Sequence, residues 1–323
     1  MELLGYKELS ILIQKEIKET EYSGTPSELY DPMNYILQLG GKRLRPVTIL
    51  LAVQLFNGEL KEAIQAAKAV EVFHNFTLVH DDLMDNAPLR RGQQTVHEKW
   101  NSNIAILSGD TLLIEVYNHF LEGNYNNLSE ILKVFNKTAI EVCEGQQLDM
   151  NFESRSDVTI DEYINMIRLK TSVLVGGSFE IGALVARAHK EDAQLIYDFG
   201  VNLGIAFQLQ DDYLDCFGDP EKFGKQVGGD IISNKKTFLM LKALELDASG
   251  ELQKWVDKTD FVNEQKVEAV KAIYRQLKVD ELAFSLMDDF YQKSLASLNE
   301  IKADQESKDK IIEFAQALMK RSS

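Results

Sequence analysis

The positions of the prolines limit what this chain can fold into more than any other feature of its sequence. The chain has five prolines, at positions 26, 32, 46, 88 and 220, so residues 89–219 and 221–323 contain none. Proline interrupts helix interiors, and its absence lets helices continue. Apolar residues recur in these runs at helical spacing, as at Val267, Val270 and Ile273, whereas the alternation typical of strands is absent. The sequence therefore predicts an all-α protein.

Turn signals divide the chain into successive helices. Glycine and asparagine occur together at residues 57–58 and 123–127, and residues 247–250 form a further connection. Thr159 and Glu162 have the spacing of a capping box, which opens a helix. These signals predict a single large helical bundle of ten or more helices.

Composition and charge exclude several classes of protein. The chain is 45% hydrophobic and 27% charged, and no composition shift marks a linker, so we expect one domain over residues 1–323. A net charge of −16 argues against nucleic acid as a partner, because a phosphate backbone needs a basic face. Residues 1–10 lack a signal-peptide pattern and no apolar run reaches about 18 residues, so we expect a cytoplasmic protein with no membrane span. Cys143 and Cys216 match no disulfide or metal pattern and are expected to be buried.

Two acidic motifs of the same form, Asp-Asp-x-x-Asp, follow long apolar helical runs. They occupy residues 81–85 and 211–215. Positions four apart share one face of a helix, so the first and third aspartates of each motif present their carboxylates side by side. Carboxylates on the apolar side of a helix are costly unless a cation neutralises them, and hard divalent cations prefer oxygen ligands. If the two pairs face one another, they form a divalent metal site with the ligands Asp81, Asp85, Asp211 and Asp215.

Basic residues form short clusters in this otherwise acidic chain. The members of these clusters are Lys42, Arg43, Arg45, Arg90, Arg91, Lys170, Lys225, Lys235 and Lys236. Arginine binds phosphate oxygens in pairs and lysine acts as a point charge. No nucleotide-binding glycine motif accompanies them. Together with the metal site, the clusters predict a bound diphosphate that belongs to neither ATP nor NAD.

A glycine-rich segment comes directly after the second acidic motif. Within residues 217–231, glycine or proline occupies positions 218, 220, 224, 228 and 229. Beside a metal site such a loop is a candidate lid, although it is also compatible with a plain connection between helices.

The order of the motifs resembles that of a known family, the trans-prenyl diphosphate synthases or polyprenyl synthetases. Between about Pro32 and Lys236 the chain carries GKRLRP, HNFTLVHDDLMDNAPLRRG, GQQLD, KT, FQLQDDYLD, GK, GGD and NKKT, in the order typical of that family. The resemblance implies the isoprenoid synthase fold, which is all-α. It also implies a prenyltransferase that requires Mg²⁺, with three ions expected when both acidic motifs and a diphosphate are engaged.

The resemblance implies roles for individual residues. The residues that match the reaction centre are Asp81, Asp82, Asp85, Arg90, Lys170, Thr171, Gln208, Asp211, Asp212, Asp215, Lys225 and Lys235. Lys42, Arg45, His74 and Arg91 match a pocket for isopentenyl diphosphate. Gln146 and Asp149 match positions close to the metals.

The implied reaction joins isopentenyl diphosphate to an allylic diphosphate, either dimethylallyl, geranyl or farnesyl. Phe76 precedes Asp81 by five residues, which places it roughly 7–8 Å below Asp81 along the helix axis. A ring there, with Thr77 beside it and Phe73 one turn deeper, would limit the length of the growing chain. This arrangement resembles the short-chain members that make geranylgeranyl diphosphate, with farnesyl diphosphate as the alternative product. The alternative is that Phe73 and Phe76 only pack the core.

Other classes of protein remain open. A class I terpene cyclase shares the fold and the first motif, but its second metal motif usually differs from residues 211–215. A catalytically silent subunit of a two-component synthase would not need both motifs intact. A di-iron carboxylate bundle would need a second copy of the Glu71-x-x-His74 pattern, and the sequence has only one. The resemblance also implies a homodimer, for which glycines such as Gly176, Gly177 and Gly182 would permit close helix packing, although no pattern locates the interface.

Overall fold

The computed structural model describes residues 3–218 and 228–320, and these are almost wholly helical. In chain order the helices are α1 (Tyr6–Lys18), α2 (Ser27–Gln38), α3 (Leu44–Leu55), α4 (Leu60–Met84), α5 (Val96–Lys99), α6 (Ser102–Glu122), α7 (Leu128–Glu153), α8 (Ile160–Ile167), α9 (Val173–Val185), α10 (Lys190–Phe217), α11 (Gly229–Ile232), α12 (Phe238–Leu246), α13 (Glu251–Asp257), α14 (Asn263–Gln276), α15 (Val279–Glu300) and α16 (Gln305–Met319). A π-helical turn, Arg168–Ser172, joins α8 to α9. The prediction of an all-α bundle of ten or more helices is confirmed.

Local sequence explains where the helices begin and end. Thr159 and Glu162 form the predicted capping box, with the Thr159 hydroxyl accepting from the backbone N–H of Glu162. Asn57, in the predicted turn between α3 and α4, has a positive φ of 57°. Helix α4 ends where Asn86 takes a φ of 49°, shortly before Pro88. At these positions the helix boundaries of the structure follow the capping and turn residues of the sequence.

A short hairpin is a small departure from the all-helical prediction. Strands β1 (Leu89–Arg90) and β2 (Gln93–Gln94) pair antiparallel directly after the first acidic motif. Each strand has only two residues, which is too short for an alternating pattern to be visible in the sequence.

The chain divides into two compact units. The first consists of residues 1–135, 178–194 and 302–311. Within it, α4 packs against α3 and α6. Its buried aromatic rings include Phe73, Phe120 and Phe135, and the Phe73 and Phe120 rings each lie 5.2 Å from the Phe135 ring. This unit holds the first acidic motif.

The second unit consists of residues 136–177, 195–301 and 312–323. Its core is built from buried side chains of α8, α10, α12 and α14, among them Tyr163, Leu209, Phe238 and Tyr274. This unit holds the second acidic motif. The expectation of one domain over residues 1–323 stays a prediction.

Two further expectations can be compared with the structure. Cys216 is buried as expected, and burial raises the pKa of its thiol to about 12. The expectation for Cys143 is wrong, because this residue lies on the exposed face of α7. Of the glycine-rich segment, residues 219–227 lie outside the described residues, and Lys225 is among them. None of the described helices combines the length and the apolar character that a membrane crossing requires.

Candidate active site

The first acidic motif forms the last turn of α4. Asp81 is half-buried, Asp82 is only 1% exposed, and Asp85 caps the helix at its exposed end. The backbone N–H of Asp85 donates to the carbonyl of Asp81 at 2.8 Å, so the predicted helical relation between these two residues exists. The motif therefore presents its first and third carboxylates toward the surface and buries the second.

Arg90 accounts for the burial of Asp82. Its Nε lies 2.9 and 2.7 Å from the two carboxylate oxygens of Asp82, and its Nη2 lies 2.7 Å from Oδ1. A bidentate pair of this kind is strong and directional. Arg90 and Asp82, which the sequence assigned separately to the reaction centre, therefore form an ion pair that orients both side chains.

Arg91 follows in the turn of the hairpin and points toward a neighbouring glycine pair. Its φ is 53°, and its guanidinium donates to the carbonyl of Gly40. A Cβ added at Gly41, whose φ is 139°, would lie 2.8 Å from Nη2 of Arg91. Glycine at position 41 is therefore what lets the guanidinium lie against this backbone.

Three of the four residues predicted to bind isopentenyl diphosphate gather in this region. Nη1 of Arg45 donates to Nε2 of His74 at 3.0 Å. Burial, followed by the charges of Arg45 and Arg91, lowers the pKa of His74 well below its usual value. His74 is accordingly neutral at neutral pH, with its proton on Nδ1. The fourth residue, Lys42, is exposed on the adjacent turn.

One atom in this cluster is left without a partner. The Nε of Arg45 is buried and has no hydrogen-bond partner among the described residues. An unsatisfied buried donor on a charged group is costly. The cluster therefore has the composition of an anion site, since the free Nε–H could donate to a phosphate oxygen.

The second acidic motif lies within α10, in the second unit. Asp212 is 7% exposed and accepts from the hydroxyl of Tyr163 at 2.6 Å and from Nε2 of Gln208 at 2.8 Å. Burial raises the pKa of the Asp212 carboxyl, and the charge of Lys235 opposes that rise. Tyr163 was missed by the sequence analysis, because no local pattern links it to a residue so distant in the chain.

The π-helical turn carries the predicted pair Lys170 and Thr171. A π turn inserts an extra residue into a helix and often occurs at functional sites. The Thr171 hydroxyl donates to Oε1 of Gln208 at 3.0 Å, and Lys170 pairs with Asp149. A Cβ at Gly145 of α7 would collide with the backbone of Lys170, so this glycine permits α7 to approach the turn.

Asp215 anchors the segment that follows the glycine-rich loop. Its carboxylate accepts from the backbone N–H of Asp230 at 2.9 Å, and its carbonyl accepts from that of Gly228 at 2.6 Å. Burial raises the pKa of Asp230 to about 7. Burial lowers the pKa of Lys235, but the charges of Asp212 and Asp230 outweigh it and raise that pKa overall. Asp230 therefore belongs to this acidic cluster, although the sequence analysis gave it no role.

The donor set suits a hard divalent cation, with part of the coordination supplied from elsewhere. The second unit concentrates the carboxylates of Asp149, Asp212, Asp215 and Asp230, whose mutual repulsion a cation would relieve. No group of three acidic, histidine or cysteine side chains could hold a metal ion alone within residues 3–218 and 228–320. Mg²⁺ commonly binds through one or two carboxylates plus water and substrate phosphates. The carboxylates therefore fit Mg²⁺ that is shared with a diphosphate.

The three residues predicted to limit chain length lie on α4. The ring of Phe76 is 5.7 Å from that of Phe73 and 4.8 Å from the imidazole of His80. Phe73 is buried in the core, Phe76 is half-buried, and the Thr77 hydroxyl donates to the carbonyl of His74 at 2.9 Å. His80 therefore packs against Phe76, a contact that the sequence analysis did not identify.

Comparison with known proteins agrees with the geometry. Residues 26–277 match the family model described as polyprenyl synthetase. A geranylgeranyl diphosphate synthase of Sulfolobus acidocaldarius is 37% identical over 93% of this chain and 92% of its own. A geranylfarnesyl diphosphate synthase of Natronomonas pharaonis is 36% identical over 74% of this chain and 76% of its own. A crystal structure of a geranylgeranyl pyrophosphate synthase, 47% identical, superimposes with a TM-score of 0.94 and covers 99% of this chain and 100% of that one.

Proposed function

This chain belongs to the polyprenyl synthetase family, and from that membership we propose how its residues lengthen an isoprenoid. It is a prenyl diphosphate synthase, a short-chain trans-prenyltransferase with a product of the geranylgeranyl type. The substrates are isopentenyl diphosphate and an allylic diphosphate. The observation that carries the proposal is the half-buried Arg45–His74 pair, whose buried Nε–H is unsatisfied, because it has the composition of an anion site beside an acidic helix end.

The two acidic motifs supply the metal ligands. Magnesium dependence is general to this family, and we assign the ions to Asp81, Asp85, Asp211 and Asp215, with three ions expected when both acidic motifs and a diphosphate are engaged. When bound, Mg²⁺ supplies positive charge that stabilises a departing diphosphate. Asp82 and Asp212 have a supporting role. Asp82 orients Arg90, and Asp212 accepts hydrogen bonds from Tyr163 and Gln208.

The remaining polar residues bind the two substrates. Arg45, His74, Arg91 and Lys42 hold the diphosphate of isopentenyl diphosphate through their N–H groups. The allylic diphosphate is contacted by Arg90, Lys170, Thr171, Gln208, Lys225 and Lys235. Lysine and arginine at these positions compensate the negative charge that grows on the allylic diphosphate.

The reaction needs no general base from a side chain. The allylic carbon–oxygen bond breaks, and the resulting cation is attacked by the double bond of isopentenyl diphosphate to form a new carbon–carbon bond. A proton then leaves the adjacent carbon and is taken up by the departed diphosphate. This agrees with the neutral His74, which accepts from Arg45 rather than from a reacting carbon. The protein binds the two substrates, orients them for the reaction and excludes water from them.

One incubation tests the function directly. The purified chain, Mg²⁺ and labelled isopentenyl diphosphate are combined with dimethylallyl, geranyl or farnesyl diphosphate in turn, and the products are separated by chain length. We expect condensation with at least one primer and a product of geranylgeranyl length. A cyclised hydrocarbon would instead indicate a terpene cyclase, and an inactive chain would indicate a silent subunit.

We also propose that the protein is a homodimer that pairs through α6. This helix exposes Leu107, Ile114 and Leu121 to 57%, 61% and 65%, and their spacing of seven residues places them on one stripe. Such a stripe can pack against its own copy across a twofold axis. Sedimentation should show a dimer for the wild type and a monomer for Ile114→Glu. If Ile114→Glu stays dimeric, the interface does not lie on this face of α6.

A further inference from the structure

The basic motif at residues 41–46 contains one arginine that no substrate role uses. Lys42 is exposed and Arg45 lies against His74, but Arg43 points into the first unit. Its side chain is fully buried, and Glu71, its partner, is 3% exposed at the side chain. A fully buried ion pair beside a substrate pocket is costly to desolvate, so its contacts need explanation.

The guanidinium of Arg43 bonds to three different helices. Its Nε donates to Oε1 of Gln14 in α1 at 2.8 Å, and its Nη2 donates to the carbonyl of Leu37 in α2 at 2.6 Å. Its Nη1 donates to a carboxylate oxygen of Glu71 in α4. The planar fork of arginine fixes these directions, which a flexible lysine could not do.

The backbone of Arg43 is constrained as well. The residue precedes α3 with a φ of 48° and a ψ of 39°, a left-handed conformation that is rare for a residue with a Cβ. Its carbonyl accepts from the backbone N–H of Val47 at 3.2 Å. Because Lys42 and Arg45 lie one and two residues away, the geometry of Arg43 sets the directions in which both side chains leave the turn.

Glu71 connects the same turn to the helix that carries His74. Glu71 and His74 are three residues apart on α4, and therefore lie on neighbouring positions of one face. The amide of Asn75 donates to the Glu71 carboxylate at 3.3 Å and to its carbonyl at 2.8 Å. The Arg43–Glu71 pair thus links the turn that bears Arg45 to the helix that bears its partner.

We propose that Arg43 and Glu71 form a positioning pair that fixes Lys42, Arg45 and His74 for the diphosphate of isopentenyl diphosphate. The inference rests on the proposed function. Two apolar side chains of similar volume would fill the same space at little or no cost in stability, whereas only the ion pair fixes the turn relative to α4 in one arrangement. Its effect therefore falls on the affinity for one substrate rather than on the fold as a whole.

The first test compares Arg43→Met, Glu71→Gln and the double variant Arg43→Met with Glu71→Met. Calorimetric titration with isopentenyl diphosphate alone measures affinity without turnover, and steady-state kinetics measure KM for each substrate and kcat. We expect the dissociation constant and KM for isopentenyl diphosphate to rise about tenfold in all three variants. We expect KM for the allylic diphosphate and kcat at saturation to change by less than about threefold.

The double variant separates positioning from stability. Removing both charges should raise the thermal midpoint above that of Arg43→Met, because no uncompensated buried charge remains and only the acceptors on Gln14 and Leu37 lose their donor. The affinity for isopentenyl diphosphate should stay low all the same. If affinity recovers together with stability, the pair has a structural role only and the inference is overturned. If Arg43→Met does not fold, Arg43→Lys answers the same question, since it keeps the charge and loses the three-way fork.

A control variant removes a part-buried polar contact elsewhere in the first unit. Tyr22→Phe removes the hydrogen bond of 2.8 Å between the Tyr22 hydroxyl and Nε2 of His119. It should lower the thermal midpoint and leave the affinity for isopentenyl diphosphate unchanged. Equal losses of affinity in Tyr22→Phe and Arg43→Met would overturn the inference. Failure of the wild type to condense any primer would instead refute the proposed function, and it would be visible before any variant is made.

Discussion

Aspartates of the same motif have different surroundings in this protein. In residues 81–85 the second aspartate is buried in a bidentate pair with Arg90, and in residues 211–215 the second is buried against Tyr163 and Gln208. The first and third aspartates of both motifs are less buried. Helix periodicity explains this division, because positions i and i+4 share a face that position i+1 leaves. The middle carboxylates are internal supports, and the outer ones can take a metal.

The outer carboxylates are tested by Asp81→Ala and Asp211→Ala. Each change removes an expected Mg²⁺ ligand, so Mg²⁺-dependent condensation should fall by about 10³-fold or more. Labelled isopentenyl diphosphate incorporated per minute is the measurement. Asp288→Ala is the control, because Asp288 is an exposed aspartate on α15 and its loss should leave the rate unchanged. Normal turnover in either motif variant would refute the metal assignment.

The inner support of the second motif is tested by Tyr163→Phe. The change removes the hydroxyl that donates to Asp212 and leaves that buried carboxylate with one protein donor fewer. We expect the Mg²⁺ concentration for half-maximal activity to rise about tenfold, from a hydrogen-bond loss of about 1–2 kcal/mol.

Tyr274→Phe is the matched control for that variant. Tyr274 is also a buried tyrosine of the second unit, but its hydroxyl donates to the sulfur of Met240, at 3.6 Å, rather than to an aspartate. Its loss should not move the Mg²⁺ requirement. A shift of equal size in both variants would mean that Tyr163 contributes to packing alone.

Helix α4 carries residues of several roles in one unbroken element. His74 beside Arg45, Phe76 beside Phe73 and Asp81 of the acidic motif all lie within Leu60–Met84. Helix geometry fixes their separations along the axis at about 1.5 Å per residue. A change at one of these positions therefore leaves the spacing of the others intact, which makes α4 a suitable place to alter product length.

Product length is tested by Phe76→Ala. Removing the ring should open space beside Phe73 and His80, and the product should lengthen by at least one isoprene unit. Chromatography of the dephosphorylated products measures the change. Phe284→Ala, which truncates a 54% exposed phenylalanine of α15, should leave the product unchanged. An unaltered product distribution in Phe76→Ala would mean that this ring only packs the core.

The sequence could predict those parts of the site that depend on local spacing. The helices, the capping box at Thr159 and the pairing of Asp81 with Asp85 follow from periodicity within a few residues. The partnership of Tyr163 with Asp212 depends on packing between segments far apart in the chain, which spacing does not encode. Likewise Arg43 was grouped with its basic neighbours, because sequence does not reveal that its side chain turns inward.

The molecule as a whole is strongly acidic but holds a cationic pocket. Against a net charge of −16, Arg45, Arg90 and Arg91 gather near His74, whose pKa is lowered by burial first and then by their charges. Long-range repulsion of anions by the overall charge is screened beyond about 8–10 Å in physiological salt, so we expect the local cluster to determine diphosphate binding. Net charge alone argues against nucleic acid as a partner, but it could not locate this pocket.

Stability of the whole protein should depend on pH through His119. Burial lowers the pKa of His119 to about 4 from 6.5, and its ring is held neutral between the Tyr22 hydroxyl and Gln65. The unfolded chain takes up the proton more readily, so this contribution is complete above pH 6.5 and is lost as pH falls toward 4. The difference amounts to about 3 kcal/mol.

Urea unfolding at several pH values measures this dependence. In His119→Asn the free energy of unfolding should fall less steeply between pH 6.5 and 4 than in the wild type. His189→Asn, at an exposed histidine, serves as the control and should keep the wild-type slope. Identical slopes for all three proteins would show that His119 does not govern acid sensitivity.

If isopentenyl diphosphate supplies the acceptor that the buried Nε of Arg45 lacks, the lifetime of the protein should depend on the supply of this substrate. A ligand that accepts this hydrogen bond binds the folded chain and not the unfolded one, so it shifts the equilibrium toward the folded state by mass action. When that ligand is scarce, more molecules unfold and become accessible to proteases. Starvation for the five-carbon unit would then reduce the amount of enzyme as well as its rate.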